Sequence, residues 1–276
     1  MINSVVKRNS FSLFITYGLM FGGSIVSQFY PLATGFAING ALAKEYYSIA
    51  WLCACHFLMV GFQVSAKMVG ARVFTRIYTD FATGTVVASH SRGLTASRIA
   101  GRAALLREYV TFLERDVPGI MRSVTGLSVA IVALFWLDPT VGSVCLFLLV
   151  PSIFVNTYLA RKSKSLNRRL NDRLEREVEV LEFKEEGRIH NHFRGVSVWR
   201  VKLADLEAKS FGYMEIFVIV VFAVALWRLS MKNGVQAGTV YSIFSYIWYF
   251  VGSIDQIPRV VQQISKLSDI NDRVSS

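Results

Sequence analysis

The sequence predicts an all-α protein that crosses a membrane several times. Three observations carry this. Hydrophobic residues make up 53% of the 276 positions, and mean hydropathy is +0.42, far above an ordinary soluble domain. The apolar residues gather into six runs of about twenty, the length that spans a bilayer as a helix. The Lys and Arg residues, which give a net charge of +11, fall almost entirely in the polar segments at one end of those runs.

The first run covers residues 11–38, with Gln28 and Tyr30 embedded and Pro31 expected to kink it. Asn39 to Glu45 reads as a short polar connection. The second run, 46–66, contains Trp51 and the dense set Cys53, Cys55 and His56. Residues 67–118 are polar but helical in pattern, with small residues concentrated from Ala82 to Gly101. They predict a helix leaving the membrane, a turn and a returning helix. The third run is 119–137. Asp138-Pro139 then makes a tight turn, because a residue before proline is pushed out of helical geometry. The fourth run is 140–160.

A second polar excursion, 161–210, begins with an amphipathic arm. Leu166, Leu170, Leu174, Val178 and Leu181 form its apolar stripe. His190-Asn191-His192 interrupts the pattern and is expected at the tip of this hairpin. The fifth run is 211–229, the turn is Met231–Gly234, and the sixth run is 237–257. The sixth continues as a hydrophilic amphipathic helix toward Ser276.

Basic residues set the orientation, since cytoplasmic loops are enriched in Lys and Arg. With both termini inside, only Lys44, Arg228 and Lys232 of the 30 Lys and Arg lie outside. The basic balance is therefore that of a multi-pass membrane protein in the inner membrane, and no nucleic-acid partner is expected. Cys53, Cys55 and Cys145 sit in apolar runs, where cysteine packs as a small side chain. Cys53 and Cys55 are two apart and point to different sides of a helix. The Cys-x-x-Cys-His haem pattern is absent, so no metal site is expected.

Local matches then accumulate in order along the chain. YPLATGFAING (30–40) is similar to the Pro-x-x-x-Gly pattern near the outer end of a first span. ARVFTRIYTDFATGTVVASHSRGLTASRIAGRAALLREYV resembles a first intracellular hairpin with a small-residue turn before Ser97-Arg98. WLDPTVG (136–142), NGVQAGTVYSIFSYIWYF and DINDRV (269–274) resemble an outer turn, a sixth-span entry and the end of a linker. Together they resemble the six-helix membrane domain of the ABC exporters. The resemblance covers nearly the whole chain.

It implies a homodimer in which spans four and five cross to the partner protomer. It also implies alternating access and an ATPase docked under the inner hairpins. ATP is thus expected only through a separate subunit, because the sequence has no Gly-Lys dipeptide and so no P-loop. No catalytic motif appears, and no enzymatic role is expected. The second hairpin is shorter than the family norm, which favours an alternative: a secondary transporter driven by an ion or proton gradient. A non-transporting scaffold or sensor is the reading from another class.

Candidate residues follow. Gln28, Tyr30, Gln63, Tyr241, Ser245, Tyr246, Trp248 and Tyr249 are the polar and aromatic groups expected to line a path for a small molecule or peptide, since such cavities are mostly apolar with a few polar anchors. Their competing role is as interfacial aromatics. Glu215, Asp255 and Arg259 are candidates for ion coupling or a gate, because charge within a span is costly unless it faces a cavity or a partner. The plainer and favoured reading puts all three at the membrane interface, with Asp255 and Arg259 as a local i, i+4 helix pair. Ser97, Arg98, His190, His192 and Arg194 are candidate contacts for an ATPase subunit.

Overall fold

The computed structural model describes residues 8–91, 96–174, 177 and 185–275. Seven long helices account for nearly all of them: α1 (Ser10–Leu42), α2 (Tyr47–Ser91), α3 (Ala96–Thr111), α4 (Val117–Leu137), α5 (Pro139–Leu174), α6 (Glu186–Ser230) and α7 (Ala237–Ser275). No strand occurs among the described residues. Among the described residues, five stretches are long and apolar enough to cross a membrane: Ser10–Leu42, Tyr47–Val87, Leu106–Leu137, Pro139–Leu174 and Glu186–Ser230. The apolar half of α7 is the sixth apolar run of the sequence.

The chain forms two compact units, Met1–Pro139 with Lys232–Ser276, and Thr140–Met231. In the first, α1 packs along α2 and also against α4 and α7, while α4 packs against α7. Small residues make the close approach possible. The buried face of α4 is Gly126, Ala130, Ala133 and Leu134, a spacing that lets helix backbones meet in lipid. Opposing it, α7 buries Ile243, Tyr246, Ile247, Phe250, Val251 and Ile254, three or four apart. Near the other end of α1 lies a second core: Leu13, Phe74, Ile77, Phe81, Leu106 and Val110, with Tyr17 and Tyr109 packed on it. Arg8 pairs with Asp80 beside this core.

Three connections are short, as the sequence predicts, but their limits differ. Helix α1 runs past Asn39 to Leu42. It ends where Lys44 takes a left-handed φ of 61°, and the Glu45 amide bonds back to the Gly40 carbonyl at 2.7 Å. That is a Schellman ending, which places the stop four residues later than polarity alone suggests. Pro31 stays inside α1. Asp138 is extended, with φ −155° and ψ 108°, and separates α4 from α5.

Helices α3 and α4 meet without a break through one π-helical turn, Phe112–Asp116. The π turn was not foreseen. It ends two positions before Pro118, whose missing N–H disrupts the regular ladder.

In the second unit, α6 is a single helix of 45 residues. His190 and His192 therefore sit in its first two turns. The expectation that His190-Asn191-His192 marks the hairpin tip is corrected: no helix breaker stands between Arg188 and Phe193, and Gly187 and Gly195 are carried within the helix. The buried stripe of α6 continues through His192, Val196, Ser210, Met214, Val218, Val221, Ala225 and Leu229. Arg169 and Lys202 lie over the Trp199 ring, at 5.3 and 4.4 Å from its centroid. The Arg169 contact is a cation–π pair that joins α5 to α6 outside the apolar runs, while Lys202 covers the ring from within α6.

Candidate functional site: a polar seam between three helices

The first unit places polar side chains where α1, α4 and α7 meet. Pro31 removes one amide from the α1 ladder, and its ring crowds the carbonyls of the preceding turn. Two nearby carbonyls of α1 then accept hydrogen bonds from α7. The Tyr246 hydroxyl donates to the Gln28 carbonyl at 2.7 Å, and the Ser242 hydroxyl lies 3.0 Å from both the Pro31 and Gly238 carbonyls. Tyr246 is wholly buried. On the facing side, the hydroxyls of Ser24 and Thr125 are 2.8 Å apart and tie α1 to α4.

Gln28 lies at the centre of these contacts, 7% exposed. Its side chain is beside Gly126 of α4. A Cβ placed on Gly126 would come 3.5 Å from Gln28 Nε2 and 2.8 Å from Ser253 Oγ, so the missing side chain leaves room for both groups. Among the described residues, Gln28 Oε1 has no hydrogen-bond donor. A buried amide oxygen left in this state costs roughly 1–3 kcal/mol. Retaining it in an apolar span therefore calls for a use.

The seam closes tightly toward the short connections. Gly35 and Gly238 touch backbone to backbone. A Cβ on Gly238 would lie 1.8 Å from the Gly35 carbonyl oxygen, and one on Gly35 would lie 2.4 Å from the Gly238 carbonyl oxygen. Asn39 spans the end of this crossing: its Nδ2 donates to Gln236 Oε1 at 2.8 Å, and its Oδ1 accepts from the Gly238 amide at 2.7 Å. Lys232 and Asp138 form an ion pair at the same end.

The expected path residues divide. Gln28 and Tyr246 belong to the buried seam. Tyr30 lies at its margin with its ring 5.9 Å from that of His56 on α2. Tyr249 is 36% exposed and meets Tyr246 edge-on at 6.2 Å. Ser245 is half-buried, and Tyr241, Trp248 and Gln63 are exposed. Thus Tyr241, Ser245 and Tyr249 share a face of α7, but it is not the buried face. Ser24, Thr125, Ser242 and Ser253 escaped sequence reasoning, since single hydroxyls in spans are common and often bond their own helix. Asn39 and the glycines Gly35, Gly126 and Gly238 were the available signal.

The charged candidates fall in both units. Glu215 is half-buried on α6 in the second unit, and Asp255 is exposed on α7 in the first. Among the ATPase-contact candidates, His190 and Arg194 are exposed and His192 is buried. The side chains of Arg259, Ser97 and Arg98 lie outside the described residues. Cys53 is exposed and Cys55 half-buried, and the described residues hold no group of three metal-capable side chains.

Long apolar helices, small-residue crossings and a polar seam within them define a multi-pass α-helical membrane protein. The profile described as ABC transporter transmembrane region matches residues 2–238. The chain belongs to that family and is a membrane subunit of an ABC-type transporter. No curated protein matches it.

Proposed function

We propose that the protein is the membrane-spanning part of a homodimeric exporter in the inner membrane, with both termini cytoplasmic and six spans per protomer. It moves a small molecule or peptide by alternating access, and a separate ATPase subunit docks on the hairpin ends and supplies the energy. The observation that carries this reading is the Gln28 seam. A buried amide oxygen without a donor, set between three membrane-depth helices and next to a glycine gap, offers a polar anchor of the kind cargo cavities use. The concentration of Lys and Arg in the hairpins supports the orientation.

The test is cargo efflux from proteoliposomes holding the purified protein, with and without a co-expressed ATPase subunit and ATP. Nucleotide-dependent flux that falls sharply in Gln28→Ala supports the reading. Flux that ignores Gln28 removes the seam from the path.

A second reading, transport driven by an ion gradient, draws on Glu215. This half-buried carboxylate lies in a helix apolar enough to span a membrane. Flux under a proton gradient without nucleotide, lost in Glu215→Gln, would favour it.

A further inference from the structure

The junction of α3 and α4 contains a carbonyl that the helix itself does not satisfy. In a regular α-helix the Leu113 carbonyl would accept from the Val117 amide. Here the Val117 amide reaches one residue further back, to the Phe112 carbonyl. In π-helical register the donor to Leu113 would be residue 118, which is proline and has no N–H. The Leu113 carbonyl instead accepts from the Tyr17 hydroxyl of α1, at 2.9 Å. Tyr17 is held there by the core of Leu13, Phe74, Ile77, Phe81, Leu106 and Val110, with its ring 6.1 Å from that of Phe74.

The residues beyond the junction leave it free to bend. Gly119 follows Pro118, and a Cβ on it would meet nothing within 4 Å. A π turn, a proline and an unpacked glycine within eight residues are the usual local causes of a helix hinge. The helix segments on either side have different attachments. The α3 side joins the core around Phe81, through Leu106 and Val110. The α4 side joins the polar seam through Thr125.

We infer that Phe112–Gly119 is a hinge with two states, and that the Tyr17 hydroxyl is its latch. When Tyr17 is bonded to Leu113, α3 and α4 are held as one rod. When the bond opens, the Leu113 carbonyl is released and α3 swings about the π turn. Movement at the polar hairpin reaches the seam around Gln28 only while that one hydrogen bond is made. The inference does not depend on which energy source drives the protein.

The test replaces Cys53, Cys55 and Cys145 and places nitroxide labels at Ala104 and Val124, both exposed and about 30 Å apart along a straight helix. Electron–electron distance distributions and amide exchange are read on the purified full chain in nanodiscs. Tyr17→Phe keeps the ring and removes only the donor. It is expected to broaden the distribution and to speed exchange across residues 112–117 about tenfold, the equivalent of one lost hydrogen bond. Pro118→Ala restores an amide donor, so it narrows the distribution and abolishes the effect of Tyr17→Phe in the double variant. An unchanged width in Tyr17→Phe, or the same broadening with Ala at 118, overturns the latch. If Tyr17→Phe cannot be purified, Pro118→Ala alone decides: narrowing supports the hinge, and an unchanged or broader distribution overturns it.

Discussion

Lys232 Nζ lies 2.5 Å from the carboxylate of Asp138, a side chain with no exposed surface. The pair joins the turn between α4 and α5 to the residues that lead into α7. It lies at the same end of the helices as the Asn39 bridge, so the short-connection end of this unit carries one ionic and two hydrogen-bonded links. Lys232 is itself 38% exposed, which lowers its desolvation cost and makes the arrangement more favourable than a fully buried pair.

Removing the cation alone takes the opposite charge away from a buried carboxylate. Lys232→Ala is expected to destabilise the purified protein by about 1–3 kcal/mol, below the range for deep pairs because water reaches the lysine. Asp138→Asn in the same background should recover part of the loss. Thermal unfolding in detergent across the four-variant cycle measures the coupling, and simple additivity would show that the pair contributes nothing jointly.

The glycine crossing gives a paired expectation. Gly238→Ala places a methyl group 1.8 Å from a backbone oxygen, which neither helix relieves without separating. It should cost about 2 kcal/mol or more, or prevent accumulation of folded protein. Gly61→Ala meets nothing within 4 Å. It should be neutral or stabilising by up to about 1 kcal/mol through helix propensity. Expression level and melting temperature compare the two, and equal behaviour would sink the claim of close contact.

Tyr246→Phe deletes one hydroxyl from a wholly buried ring. Its bond to the Gln28 carbonyl is the loss, and about 0.5–1.5 kcal/mol is expected, in line with interhelical bonds in membranes. A change near zero would mean that the Gln28 carbonyl is fully satisfied by its own helix.

Gln28→Leu separates stability from use. It replaces an amide whose oxygen is unsatisfied with an apolar group of similar size, so the fold should hold or gain about 1 kcal/mol. Cargo flux should fall. A destabilised protein with unchanged flux would make Gln28 a structural residue only.

The architecture was legible because its cause is local and repeated. Runs such as 119–137 and 140–160, separated by Asp138-Pro139, announce two helices and the turn between them in the side chains alone. The helix limits were less legible. Leu42 ends α1 through backbone geometry at Lys44, and α6 runs through His190 and His192 because no residue there forbids it. The seam was half legible. Gln28 and Tyr246 stand out as polar groups in apolar runs, but their meeting with Ser24, Thr125 and Ser253 depends on which faces of three helices touch. Tyr17 and Leu113 are 96 residues apart, and no local pattern pairs them.

The contact of Gly35 with Gly238 also fixes where relative motion of α1 and α7 has its centre. Two backbones in direct contact cannot slide past each other without collision, yet they can rotate about the point of contact. Helix α7 begins at that point and has 39 residues, about 58 Å of rod at 1.5 Å per residue. A rotation of about ten degrees there would carry its far end roughly 10 Å, by the same rise per residue. The crossing is a fulcrum, and α7 is a long lever arm whose travel is almost all at the end away from the short connections.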